Sequence, residues 1–148
     1  MAWRTLTSAD VLGVLNSAES SAYQAAVIGV GQDPLQDAIT AVVNQCRGYI
    51  ADNPTNSLAE GVTLPERTHL SALHIIRVEM LTRLDLEVSK DRADARKDAI
   101  RFFERVSDGK VAIEQPSGLP LDNQTPPPSI ETISTNERQA TRANLAGL

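Results

Sequence analysis

Residues 33–54 read DPLQDAITAVVNQCRGYIADNP, and this stretch decides the fold. Asp33 offers a side-chain oxygen to cap a helix, Pro34 at the first helical position gives up no donor the helix needs, and Gln36 sits where it can reach back to the cap. Leu35, Ala38, Ile39, Val42, Val43, Cys46 and Ile50 then recur at steps of three and four, so they share one stripe of a helix. Pro54 restricts the backbone of Asn53 and stops the helix, and the run to Gly61 has the composition of a loop. Such a stripe is stable only when buried against other elements.

Working outward, the same grammar recurs. Towards the N-terminus, Thr7-Ser8-Ala9-Asp10 followed by Val11, Leu12, Val14 and Leu15 predicts a short capped helix ending near Asn16. Ser17 to Ala26 reads as a second short helix around Tyr23, giving way to a linker at Gly29-Val30-Gly31. Towards the C-terminus, Thr63-Leu64-Pro65-Glu66 has the spacing of a capping box, with Leu70, Leu73, Ile76, Met80, Leu81 and Leu84 on one side of the helix after it. Ile75 and Val78 widen that apolar surface, which makes this helix central. Ser89 is placed to cap a last helix carrying Ala95, Ala99, Phe102, Phe103 and Val106, with Gly109 as its left-handed terminator.

Beyond Gly109 the character changes. Val111-Ala112-Ile113 suits a short strand or an extended segment, and Pro116, Pro120 and Pro126-Pro127-Pro128 favour an extended backbone without internal hydrogen bonds. Thr135 to Leu148 has the pattern of a weak helix, unstable alone. The fold expected is all-α: a small bundle of four to five helices over residues 1–110 and an extended, Pro-containing C-terminal arm over 111–148. Two Phe, two Tyr and one Trp in 148 residues leave an aliphatic core, which suits helix-on-helix packing.

Composition narrows the function. Fourteen Lys and Arg against nineteen Asp and Glu give a net charge of −5, which argues against a basic surface that wraps nucleic acid. Cys46 is the single cysteine, so no intramolecular disulfide forms, and its place on the apolar stripe marks it as a core residue. No run approaches a membrane span and residues 1–15 lack a signal-peptide core, so a cytosolic chain is expected. His69 and His74 point about 140° apart on a helix and cannot share a metal as an i, i+4 pair does. Gly29-Val30-Gly31 lacks the third glycine and the Lys-Ser/Thr of a phosphate loop, and there is no Gly-x-Ser-x-Gly elbow. The expectation is a protein without catalysis, cofactor or metal. Lys90 to Arg105 mixes both signs, with Asp94–Lys97, Asp98–Arg101 and Arg101–Glu104 at i, i+3; it suits a solvated face or a contact between subunits.

The order of parts resembles the head-tail connector (neck adaptor) proteins of tailed phages, in particular the Mu-like group. The resemblance rests on the start Leu6-Thr7-Ser8-Ala9-Asp10-Val11-Leu12, a long helix ending near Arg47-Gly48-Tyr49-Ile50, and a Pro-led helix. It continues through a charged helix closing on Val106-Ser107-Asp108-Gly109-Lys110-Val111 and the finish Arg142-Ala143-Asn144-Leu145-Ala146-Gly147-Leu148. The polar, Pro-rich insert before the terminus and the weak second helix depart from the group's pattern.

The resemblance implies a virion structural subunit of the neck, made in the host bacterial cytoplasm. It implies a homo-oligomeric ring, a dodecamer, between the portal protein and the tail or stopper protein, with DNA passing through the lumen without sequence-specific binding. Arg138 and Arg142 are then the polar, and Leu145 and Leu148 the apolar, partner-binding residues of the arm. The alternative is a non-viral helical protein-binding module with a disordered C-terminal ligand tail.

Overall fold

The computed structural model describes residues 3–30 and 33–117. Strand β1 (Trp3–Thr5) leads into α1 (Ser8–Leu12), α2 (Ser17–Val30) and α3 (Pro34–Ala51). Strand β2 (Thr63–Pro65) and a single 3-10 turn (Glu66–Thr68) then introduce α4 (His69–Arg83) and α5 (Lys90–Ser107). The fold of the described residues is an all-α bundle of five helices with one two-stranded ribbon at its side.

Helix α3 forms as its sequence dictates. All seven residues of its stripe are buried, and Asp33 Oδ1 accepts from the Leu35 and Gln36 amides at 3.0 and 3.4 Å. The stripe packs on α4 and α5, with α4 central: Ala72, Leu73, Ile75, Ile76, Val78, Met80 and Leu81 are all buried. Leu70 departs from its expected place in the core, being 63 % exposed. The start of this helix also differs from expectation. Thr63–Pro65 is not a capping box but a strand, paired antiparallel with β1 in the register Trp3 with Pro65, Arg4 with Leu64 and Thr5 with Thr63. The Thr63 hydroxyl donates to the Glu60 carbonyl at 3.1 Å rather than capping a helix. Thr68 Oγ1 then donates to the Pro65 carbonyl at 2.8 Å, so α4 starts at His69.

The N-terminal helices also differ from expectation. Thr7 and Asp10 form the complete capping box of α1, but α1 stops at Leu12, short of Asn16, because Asn16 opens the next helix. Its side chain accepts from the Glu19 amide at 2.8 Å while the Glu19 carboxylate accepts from the Asn16 amide at 2.9 Å. This reciprocal cap starts α2 at Ser17, and α2 runs to Val30 instead of yielding to a linker at Gly29.

Helix α5 turns Phe103 and Val106 into the core at 0 % exposure. Ser89 holds the N-cap position with an extended backbone, but its hydroxyl makes no capping hydrogen bond. The other end closes as the sequence predicts. Gly109 has φ +74°, and the Lys110 amide donates to Arg105 O at 2.8 Å while that of Gly109 donates to Val106 O at 3.1 Å. This is the Schellman arrangement, which satisfies the last carbonyls of the helix. A Cβ at position 109 would also lie 3.3 Å from Asn53 Nδ2, the buried amide that donates to Val106 O at 3.2 Å. Gly109→Ala therefore combines left-handed strain with a push on a buried hydrogen bond. It is expected to lower stability by about 1–2 kcal/mol in urea unfolding; a loss below about 0.3 kcal/mol would show that neither effect operates.

Residues 111–117 form neither helix nor strand, so the short strand allowed at Val111–Ile113 is absent. They nevertheless lie on the bundle. Ile113 is 8 % exposed and belongs to the core. Trp3 Nε1 donates to Glu114 O at 2.9 Å, Arg67 to Ala112 O at 2.9 Å, and the Ser57 amide to Gln115 Oε1 at 3.0 Å. The rest of the expected arm, from residue 118 on, lies outside the described residues.

Candidate functional site

The most concentrated chemistry among the described residues is a cluster of three charges between helices. Glu19 in the first turn of α2 meets Arg77 of α4 through the guanidinium Nη2, and its other carboxylate oxygen lies 3.6 Å from Arg92 Nε of α5. Arg77 is 5 % exposed, and its Nε is buried without a hydrogen-bond partner. Burial works to raise the Glu19 carboxyl, but the hydrogen bonds from Arg77 and the Asn16 amide, with the charges of Arg77 and Arg92, outweigh it and hold the group below its ordinary value. One carboxylate thus serves two guanidinium groups. A charge as buried as Arg77 needs such a partner, because desolvation alone would expel it.

Beside this cluster is a cleft of about 310 Å³. Asn16, Ala18, Glu19 and Ala22 of the α2 side form one wall, Leu81 and Leu86 the apolar side, and Glu87, Ser89 and Arg92 the polar rim. The reciprocal Asn16–Glu19 cap places one wall, and the turn from α4 into α5 the other. That turn is tight: Asp85 has φ +54° and the Leu86 amide reaches back to Leu81 O at 2.9 Å. The cleft presents both signs of charge beside apolar side chains.

The other candidates have structural surroundings. Cys46 is fully buried, and burial pushes its thiol up to about 12; such a thiol carries no thiolate at neutral pH. His69 is buried, with Nε2 3.0 Å from Leu64 O, where a protonated Nε2 donates, and it thereby joins α4 to β2. Among the described residues no three His, Cys, Asp or Glu side chains gather in a way that could hold a metal ion. No helix among them is long and apolar enough to cross a membrane. On α5, Asp94 and Lys97 lie 3.8 Å apart, and Asp98 and Arg101 3.5 Å, on an exposed face. Exposed pairs of this kind contribute little to stability.

Arg138, Arg142, Leu145 and Leu148, the partner-binding residues expected in the arm, lie outside the described residues. What the sequence reading passed over is the Glu19–Arg77–Arg92 cluster. Its one signal was Arg77 itself, on the apolar run of Leu73, Ile75, Ile76, Val78, Met80 and Leu81 that holds one other charge, Glu79. Arg47 is a second omission: it donates to Thr63 O at 2.8 Å and Ala59 O at 2.9 Å, with its guanidinium 6.0 Å from the centre of the Trp3 ring, and so ties the loop and β2 to α3. Comparison with protein-family models, with curated proteins and with solved structures gives no match to this chain.

Proposed function

We propose that this chain is a structural subunit of a tailed-phage neck, a connector that assembles as a dodecameric ring between the portal protein and the tail or stopper protein. In this reading DNA passes through the lumen, and an acidic chain of net charge −5 suits a wall that must not retain a polyanion. The observation that carries the proposal is the closure of α5. The Gly109–Lys110 turn is followed by a segment without helix or strand, one of the features on which the resemblance to the Mu-like group rests. The exposed mixed-sign face of α5 supports a register-setting contact between subunits. The arm residues Arg138, Arg142, Leu145 and Leu148 are assigned to the grip on a neighbour or on the portal.

Native mass spectrometry and electron microscopy of the full chain, alone and mixed with the products of its neighbouring genes, test this reading. A closed ring that binds a portal protein is expected. Deleting residues 137–148 should leave the helical bundle folded while abolishing that assembly. A monomer or dimer that binds one partner with simple stoichiometry and never closes a ring would overturn the connector and favour the non-viral binding module.

A further inference from the structure

Helix α2 is attached to the bundle differently from the others. Tyr23 is its single buried residue among those whose side chains are described, whereas α3 buries seven and α4 nine. Its exposed residues are Ser17, Ala18, Ser21, Gln24, Ala25 and Ile28, and Ile28 is 87 % exposed. Three serines, a glycine and three β-branched residues weaken it as a helix, against four alanines that favour one. A fourteen-residue helix of this composition is marginal in isolation, so tertiary ties decide whether it forms.

Two polar links fasten it, beside the Tyr23 ring in the hydrophobic core and the half-buried Val27 packed against that core. Glu19 is held by Arg77 and Arg92 at the N-terminal end, and the Tyr23 hydroxyl donates to Asp33 Oδ1 at 2.9 Å in the middle. Beneath them lie the Arg77 guanidinium, 5 % exposed, and Leu81, 2 % exposed at the floor of the cleft. The inner face of α2 is therefore the wall of that cleft as well as the cover of the buried arginine.

We infer that α2 is a strap, fastened by the Glu19 clasp and the Tyr23–Asp33 hydrogen bond, that detaches from the bundle as a unit while α3, α4 and α5 stay packed. Its release hydrates Arg77 and converts the 310 Å³ cleft into an open groove along the C-terminal half of α4. The opening uncovers chiefly Tyr23, Val27 and Leu81 while the core of α3, α4 and α5 stays packed, so its free energy lies below that of global unfolding. The inference is independent of the connector reading, since it concerns the isolated chain.

Native-state hydrogen exchange of the full chain at neutral pH tests it. The amides of residues 21–30 are expected to exchange as one group, about 100-fold or more faster than the slowest amides of α3 and α4, with little dependence on added denaturant. Tyr23→Phe removes one hydrogen bond and should speed that group a further fivefold or so, leaving α4 unchanged. Two results would overturn the strap: α2 amides as slow as the α4 core in the unaltered chain, or a Tyr23→Phe effect that falls equally on α4.

Discussion

Phe103→Ala is expected to cost about 3–5 kcal/mol of folding stability, a large part of what a domain of this size possesses. The side chain is 0 % exposed. It comes from α5 and stacks against Tyr49 of α3, with ring centres 6.1 Å apart and planes at 26°, and edge-on against Phe102 at 5.7 Å and 79°. Enclosed in this way, the ring leaves a cavity when it is removed. The cost therefore includes both the lost transfer free energy and the cavity. Chemical denaturation should show the midpoint falling with the slope unchanged, and thermal unfolding a drop of roughly 10–20 °C. A loss below about 1 kcal/mol would mean that α5 is a peripheral helix, contrary to its packing here.

That loss depends on α3 and α5 meeting as they do, and this part of the architecture is written in local sequence. The Asp33–Pro34 start, the seven-residue stripe and the Gly109 terminator each act within a few residues, so pattern and structure agree at them. The misreadings have the opposite cause. Thr63–Pro65 looks like a helix start until Trp3–Thr5, some sixty residues earlier in the chain, arrives to pair with it. Leu70, in the first turn of α4, is left outside the core at 63 % exposure. Helix α2 looks weak because its stabilising partner, Arg77, lies 58 residues away from Glu19. Residues 111–117 read as the beginning of a free arm, whereas Trp3 holds Glu114 across 111 residues of sequence. The cleft shares this invisibility, since it is built from α2, the end of α4 and the turn into α5. Only Arg77, flanked by Ile76 and Val78 on the central helix, hinted at it.

Glu19→Gln is the second large effect expected, because it leaves the Arg77 charge buried with a neutral partner. Breaking a buried pair by removing one member costs about 3–5 kcal/mol, more than the intact pair contributes over an apolar replacement. Arg92 cannot compensate, being of the same sign as Arg77, and Glu87 lines the rim of the cleft rather than the buried end. The double variant Glu19→Gln with Arg77→Met should therefore be more stable than Glu19→Gln alone, with a coupling of about 1–3 kcal/mol in a double-mutant cycle. Additive losses would show that the two side chains do not act on each other.

The same pair predicts the acid limit. Because the folded Glu19 carboxyl sits below its ordinary value, the unfolded chain takes up its proton first as pH falls. The contribution of Glu19 is thus complete above the ordinary carboxylate range and is lost as pH drops through the folded value. Asp10 acts in the same direction, held low chiefly by the Thr7 amide and hydroxyl in the α1 capping box. In Glu19→Gln the share belonging to the clasp is already gone. Its stability should consequently fall less steeply than that of the unaltered chain as pH drops through and below the ordinary carboxylate range, with the remaining slope belonging to Asp10 and the other carboxylates.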